Sequence, residues 1–198
     1  MQSAITTYPV VNRKGNAMNT TLVVNGYEIR SNSVVKMPLL TRANLMNVVF
    51  EWCIMDMTCA VGADMSGARM VGTRMRDSNL RNVRFAGADM SSALFSGSSM
   101  HGANLTGVRA VGTEFQWCRC GGANFSGAEM PFADFFGAEL TGADFRGAEL
   151  IAANFHGAIL DGADFTGADL ENADFSDALW DEYTVWPEGF TPPAPEED

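Results

Sequence analysis

Residues 137–150, GAELTGADFRGAEL, run three times through one five-residue pattern: a Gly, an Ala, an acid, a large apolar residue and a variable position. Working outward, the apolar position, called i below, falls on every multiple of five from Leu45 to Trp180, giving 28 repeats without an insertion. Position i−2 is Ala, Ser, Thr, Cys or Val throughout, and Ala without a break from Ala123 to Ala178. A helical stripe recurs every 3.6 residues and a half-buried strand every 2, so a period of five fits neither over such a length. Each pentapeptide instead reads as one short side of a closed coil. Its i and i−2 side chains point inward, the variable polar residues at i−1 and i+1 face water, and the chain turns at i+2, which is mostly Gly.

At this point the residues resemble a known family. Ala163-Asp164-Phe165-Thr166-Gly167 and Ala168-Asp169-Leu170-Glu171-Asn172 match the A(D/N)LXX signature of pentapeptide repeat proteins, and weaker matches reach back to Ala43. The resemblance implies an all-β fold, a right-handed quadrilateral parallel β-helix with four pentapeptides per coil and about seven coils over residues 43–182. At the usual strand spacing that stack is on the order of 34 Å long. Phe occupies i every ten residues from Phe125 to Phe175, so on this architecture it stacks on two opposite faces, with Ala at i−2 preventing overfilling of the bore. Upstream, Met replaces much of the Leu, which predicts less regular coils.

Both ends carry candidate caps, as the open ends of a repeat stack require. Residues 18–42 contain a hairpin signal, Thr21 to Arg30 about Asn25-Gly26, with Pro38 expected to block further pairing. Residues 1–17 carry no pattern and are expected to be disordered, and Met18 is a second candidate translation start. At the other end, residues 183–198 combine a closing segment and an acidic tail. The stretch Thr184-Val185-Trp186-Pro187-Glu188-Gly189-Phe190 resembles the segment that folds over the last coil in many bacterial members, with Trp180, Trp186 and Phe190 shielding the bore.

The net charge is −11, unevenly spread: residues 1–120 hold 12 Lys and Arg against 7 acids, and residues 121–198 hold 1 against 17. Such a chain repels nucleic acid and anionic membrane and attracts basic partners. No membrane helix or secretion signal is evident, so a cytoplasmic location is expected, with Cys53, Cys59, Cys118 and Cys120 reduced.

A straight rod with a filled bore offers no cleft in which catalytic groups converge, so no catalytic, metal-binding or cofactor-binding residues are expected. Cys118 and Cys120 sit at inward positions and read as core fillers, and His101 and His156 as surface residues on different faces. The candidate interaction surface is acidic. Glu129, Glu149 and Asp169, spaced by twenty, form a column on one face, with Asp144 and Asp164 on an adjacent one, and Asp134, Glu139 and Asp174 complete the set. Nothing in the core demands these acids.

The leading expectation is a non-enzymatic scaffold that engages an unidentified protein partner, as a monomer or an end-to-end dimer. The alternative comes from the resemblance: some family members mimic duplex DNA, bind DNA gyrase or related topoisomerases and confer quinolone resistance. Those members share a C-terminal hydrophobic dimerisation segment and often projecting loops, which this chain lacks. Its arginines, Arg69 and Arg109 on one face with Arg74 and Arg76 on the next, also depart from a uniformly negative DNA copy.

Overall fold

The computed structural model describes residues 5–11, 17–24, 27–36 and 38–193, with side chains from residue 29 onward. Its main body is an all-β solenoid. Single parallel bridges link each i−1 residue to the one twenty residues on, from Val34–Ile54 through Glu149–Asp169 to Ile159–Leu179, and a last bridge, Asp164–Val185, spans twenty-one. A pairing interval of twenty with a turn every five places four short sides in each coil.

The backbone accounts for the five-residue grammar. In the Leu140 repeat, the Leu140 N–H donates to the Ile159 carbonyl and that of Gly142 to Asp161, both one coil on, while the Glu139 N–H donates to Cys118, one coil back. The Ala143 N–H closes the corner onto Leu140. Three of five donors thus join coils and one makes a turn, which leaves only the i+1 N–H without a backbone acceptor. Position i+2 has a positive φ at every corner from Arg42 to Asp177, which is why Gly fills most of them.

Inside, every i residue from Leu45 to Phe165 is fully buried. Phe125, Phe145 and Phe165 stack in one column with centroids 4.8 and 4.9 Å apart. Phe115, Phe135, Phe155 and Phe175 stack in the opposite column at 4.9 Å. The columns meet edge to face across the bore, as at Phe135–Phe145, 5.6 Å and 88°. Ring spacing equals strand spacing, so each added coil extends both columns without strain. In the N-terminal half, hydroxyls at i−2 enter the core and donate to carbonyls of the preceding coil, Thr73 to Phe50 at 2.7 Å and Ser98 to Met75 at 2.8 Å.

The ends differ from the sequence reading. The repeat grammar starts earlier than residue 43: Ser33-Val34-Val35 and Pro38-Leu39-Leu40 already take the i−2, i−1 and i places, with Val35, Pro38 and Leu40 buried. Pro38 therefore does not block pairing. It fills an inward position and accepts a hydrogen bond from the Cys59 N–H, so the ladder between coils is kept and only the corner bond that an i−2 N–H donates elsewhere is given up. Residues 5–11, expected within a disordered segment, form β1 (Ile5–Val11), antiparallel to β2 (Ala17–Val24), which pairs with β3 (Tyr27–Ile29). Val24 opposes Tyr27, while the Asn25-Gly26 turn lies outside the described residues.

At the C-terminus, Thr184-Val185-Trp186 does not simply fold across the stack but continues it, after a one-residue insertion. Val185 bridges Asp164, Trp186 stacks on Phe165 at 5.1 Å, and the Thr184 hydroxyl donates to the Leu160 carbonyl. The insertion displaces the carbonyl that the Gly162 N–H would meet, and the Asp181 carboxylate takes its place at 2.8 Å. Phe190 then closes the column against Trp186 and Phe175. The tail from residue 194 lies outside the described residues.

Candidate interaction faces

The i−1 bridges define four outer faces, each named here by one residue. The Glu149 face carries Val49, Arg69, Asp89, Arg109, Glu129, Glu149 and Asp169 in order, and the Asp144 face carries Asn44, Asp64, Arg84, Asn104, Asn124, Asp144 and Asp164. The Leu94 face carries Val34, Ile54, Arg74, Leu94, Glu114, Asp134, Asn154 and Asp174, and the Arg119 face runs from Leu39 through Arg119 and Glu139 to Leu179. The eight acids singled out from the sequence are therefore spread over four faces. Glu129, Glu149 and Asp169 stand together, Asp144 and Asp164 stand together, Asn154 separates Asp134 from Asp174, and Glu139 stands among non-acidic neighbours.

Aspartate and glutamate are not equivalent in these columns. The Asp144, Asp164, Asp169 and Asp174 carboxylates each accept the N–H of the residue two positions on, at 2.8–3.1 Å, as do Asp134 and several asparagines. That N–H is the i+1 donor left over by the backbone ladder, so Asp or Asn at i−1 completes the hydrogen bonding of the repeat. The expectation that nothing structural demands these acids is thus corrected for the aspartates. Glu129, Glu139 and Glu149 make no such bond, since one more methylene carries the carboxylate past the turn.

The charges are partly neutralised in place. Arg109 lies between Asp89 and Glu129, at 3.9 and 3.3 Å, and Arg146 pairs with Asp144 at 2.7 Å and reaches Asp164 at 3.8 Å. The Arg146 hydrogen bond holds the Asp144 carboxyl below the usual carboxylate range against the opposing effect of burial. Asp174 is lowered by the Ser176 hydroxyl and N–H. In the N-terminal half Arg69 pairs with Glu51, Arg74 with Asp56, Arg76 with Glu114 and Arg84 with Asp64. Among the described residues no cation lies within ion-pair reach of Glu149 or Asp169, and both are exposed.

The remaining candidates resolve simply. Cys118 and Cys120 are fully buried, and the Cys118 thiol donates to the Phe95 carbonyl. The neighbouring Cys118 and burial push the Cys120 thiol well up, which suits a core filler rather than a metal ligand. No cluster of three metal-ligating side chains occurs among the described residues. His101 bonds the Arg119 carbonyl, and His156 bonds Ser176 and stacks on Phe136. No helix among the described residues is long and apolar enough to cross a membrane.

Sequence reasoning missed the corners. Trp52, Met57, Trp117 and Phe132 occupy i+2 with φ of 57–59°, a conformation that bulky residues disfavour, and their side chains are 55–63% exposed. All four line the two edges of the Leu94 face: Trp52 and Phe132 on one, Met57 and Trp117 on the other. The signal was legible as a large apolar residue standing where the pattern asks for Gly.

The sequence profile of pentapeptide repeats matches residues 43–82, 74–109, 113–150 and 148–178, about two thirds of the chain. No curated protein matches. Among solved structures, the chain is similar to the pentapeptide repeat protein Rfr23 of the cyanobacterium Cyanothece 51142, with 27% identity over 57% of this chain and a TM-score of 0.41. It spans 63% of Rfr23. It is also similar to HetL of Nostoc sp. strain PCC 7120, described as involved in heterocyst differentiation regulation, at 22% identity over 81% of this chain and 87% of that one (TM-score 0.31). A trypsin-treated form of QnrB1, a plasmid-mediated fluoroquinolone resistance protein, aligns at 19% identity over 76% of this chain and 93% of that one (TM-score 0.49). With the profile matched over about two thirds of its length, all of it within the solenoid, this chain belongs to the pentapeptide repeat family.

Proposed function

We propose that this protein is a rigid, non-enzymatic scaffold that binds a protein partner through its outer faces, and that the Glu149 face receives a basic surface of that partner. One observation carries the reading: Glu129, Glu149 and Asp169 stack one per coil, neither glutamate bonds its own turn, and among the described residues no cation stands within ion-pair reach of Glu149 or Asp169. Like charges held about 4.8 Å apart repel one another, so a column whose glutamates bond no turn is relieved by an external cation surface. The finer architecture belongs to the same reading: a right-handed quadrilateral helix whose stack reaches from residue 33 to residue 186, capped by the strands before residue 30 and by Phe190.

Affinity capture from the native host, with Glu129→Lys/Glu149→Lys as the control, tests it. The expected result is a partner retained by the natural protein, released by moderate salt and lost in the variant. Equal recovery by both proteins overturns the role of the column.

A second reading, a DNA mimic that modulates DNA gyrase, is favoured by the acidic columns standing on two adjacent faces, those of Glu149 and Asp144. A gyrase supercoiling assay at low salt separates the two. Supercoiling, and its inhibition by quinolones, unchanged by excess protein eliminates the mimic and leaves the scaffold standing.

A further inference from the structure

We infer that the Leu94 face is the interface of a symmetric antiparallel dimer, in which the occupant is a second copy of this chain. A two-fold axis running across this face at the level of Leu94 brings residues an equal number of coils above and below it into opposition. Leu94 then faces its own copy. Arg74, one coil before, faces Glu114, one coil after, so opposite charges meet twice. Along one edge the Trp52 ring, which leans over Gly72 one coil before Leu94, comes beside Phe132, two coils after, with an offset of one coil.

The second edge supplies a knob and a hole. The Trp117 ring lies over Gly137 and packs edge to face on Phe136 at 5.0 Å, so this aromatic pair projects two coils above Leu94. Two coils below Leu94 lies a hollow of about 280 Å³ lined by Val34, Ile54, Asp56, Met57 and Arg74. The same operation that pairs Arg74 with Glu114 places Phe136 and Trp117 of one copy over that hollow in the other.

The face is also prepared for desolvation. Arg74 holds Asp56, Arg76 holds Glu114, and Asp134 accepts bonds from Gln116 and Asn154, so these groups carry partners of their own, while Lys36, which also lines the hollow, is exposed and meets the arriving aromatic pair. Bulky residues stand at corners whose positive φ disfavours them, and aromatic anchors are the side chains that dominate interfaces. Seven coils by one side, about 34 Å by about 12 Å, is small for a specific interface, so a dimer dissociating at roughly micromolar concentration is expected. The dimer does not depend on the scaffold reading, because the Glu149 and Asp144 faces stay open in both copies.

Sedimentation velocity from about 1 to about 200 µM tests the inference. The natural protein shifts from monomer to dimer across that range. Leu94→Glu, which installs the residue already present one coil on at Glu114, keeps the far-UV spectrum and weakens the dimer at least tenfold. Trp117→Gly and Phe132→Gly return the favoured residue to each corner, so they weaken the dimer without lowering the melting temperature. Arg74→Glu weakens it, and adding Glu114→Arg recovers it. Leu94→Cys cross-links to itself under mild oxidation, whereas Ser99→Cys, at the same level on the Arg119 face, does not. A monomer throughout the range, longer head-to-tail assemblies, a dimer indifferent to Leu94→Glu, or a face that binds only a different protein overturns the inference.

Discussion

A Cβ placed on Gly137 would overlap the Trp117 ring, because that ring lies across the corner of the next coil. Gly142 also has a positive φ, but nothing stands within 4 Å of its missing Cβ. Gly142→Ala is therefore expected to cost about 1 kcal/mol, the strain of a left-handed conformation, and Gly137→Ala about 2–3 kcal/mol, since the ring must also move. Adding Trp117→Gly should return the Gly137→Ala cost to about 1 kcal/mol. Urea unfolding of the four proteins measures this; equal costs at the two glycines would refute the coupling.

The phenylalanine columns set the stiffness of the C-terminal half. Phe145 stacks on Phe125 and Phe165 and meets Phe135 and Phe155 edge on. Phe145→Ala is expected to cost about 3–5 kcal/mol through lost burial and a residual cavity. Ala143→Leu, which puts a second large residue into a filled section, should cost about 1–3 kcal/mol. Denaturant midpoints provide the check.

Aspartate and glutamate at the same outer position should respond differently to substitution. Asp164 accepts both the N–H and the hydroxyl of Thr166, whereas Glu149 bonds neither its turn nor a cation. Asp164→Ala is expected to cost about 1 kcal/mol for the orphaned turn donor, and Glu149→Ala to be neutral within about 0.5 kcal/mol. Thermal melts of the pair decide the matter, and they show why a charge-reversal control is cleaner at Glu129 and Glu149 than at Asp169.

Acid should destabilise the rod. Burial raises the Asp64 carboxyl, but bonds from Ser66 and Arg84 outweigh it and leave the group below its ordinary value, alongside Asp144 and Asp174. A carboxyl depressed in the folded state stabilises above its unfolded pKa of about 4, and that contribution is lost as pH falls through the folded value. The melting temperature is expected to hold from pH 7 to about 5 and to fall below about 4. Arg146→Gln should shrink the fall by removing the main cause of the Asp144 shift.

The one-residue insertion before Thr184 depends on Asp181. Burial acts to raise this carboxyl, but the Gly162 and Tyr183 N–H groups and the Thr184 hydroxyl hold it below the ordinary range. Asp181→Ala is expected to detach Trp186 from the Phe165 column, which near-UV circular dichroism reads as a loss of tryptophan signal before global unfolding. An unchanged signal would show that Trp186 is held by stacking alone.

What sequence alone determined is the interior. A period of five with Ala at i−2 and Phe or Leu at i has one economical solution, because burial and corner geometry depend on residue size and on backbone freedom, both of which are local and legible. Pro38 and the Thr184 triplet depart from the sequence expectation for the converse reason: Pro and an inserted residue look like terminators until a neighbouring coil supplies their hydrogen-bond partners. The surface belongs to the tertiary structure. Only stacking at intervals of twenty shows that Asp caps a turn while Glu at the same place is free, that Arg109 neutralises Glu129 and leaves Glu149 exposed, and that four bulky corner residues far apart in the chain border a single face. These relations run between coils, perpendicular to the sequence, and no local rule contains them.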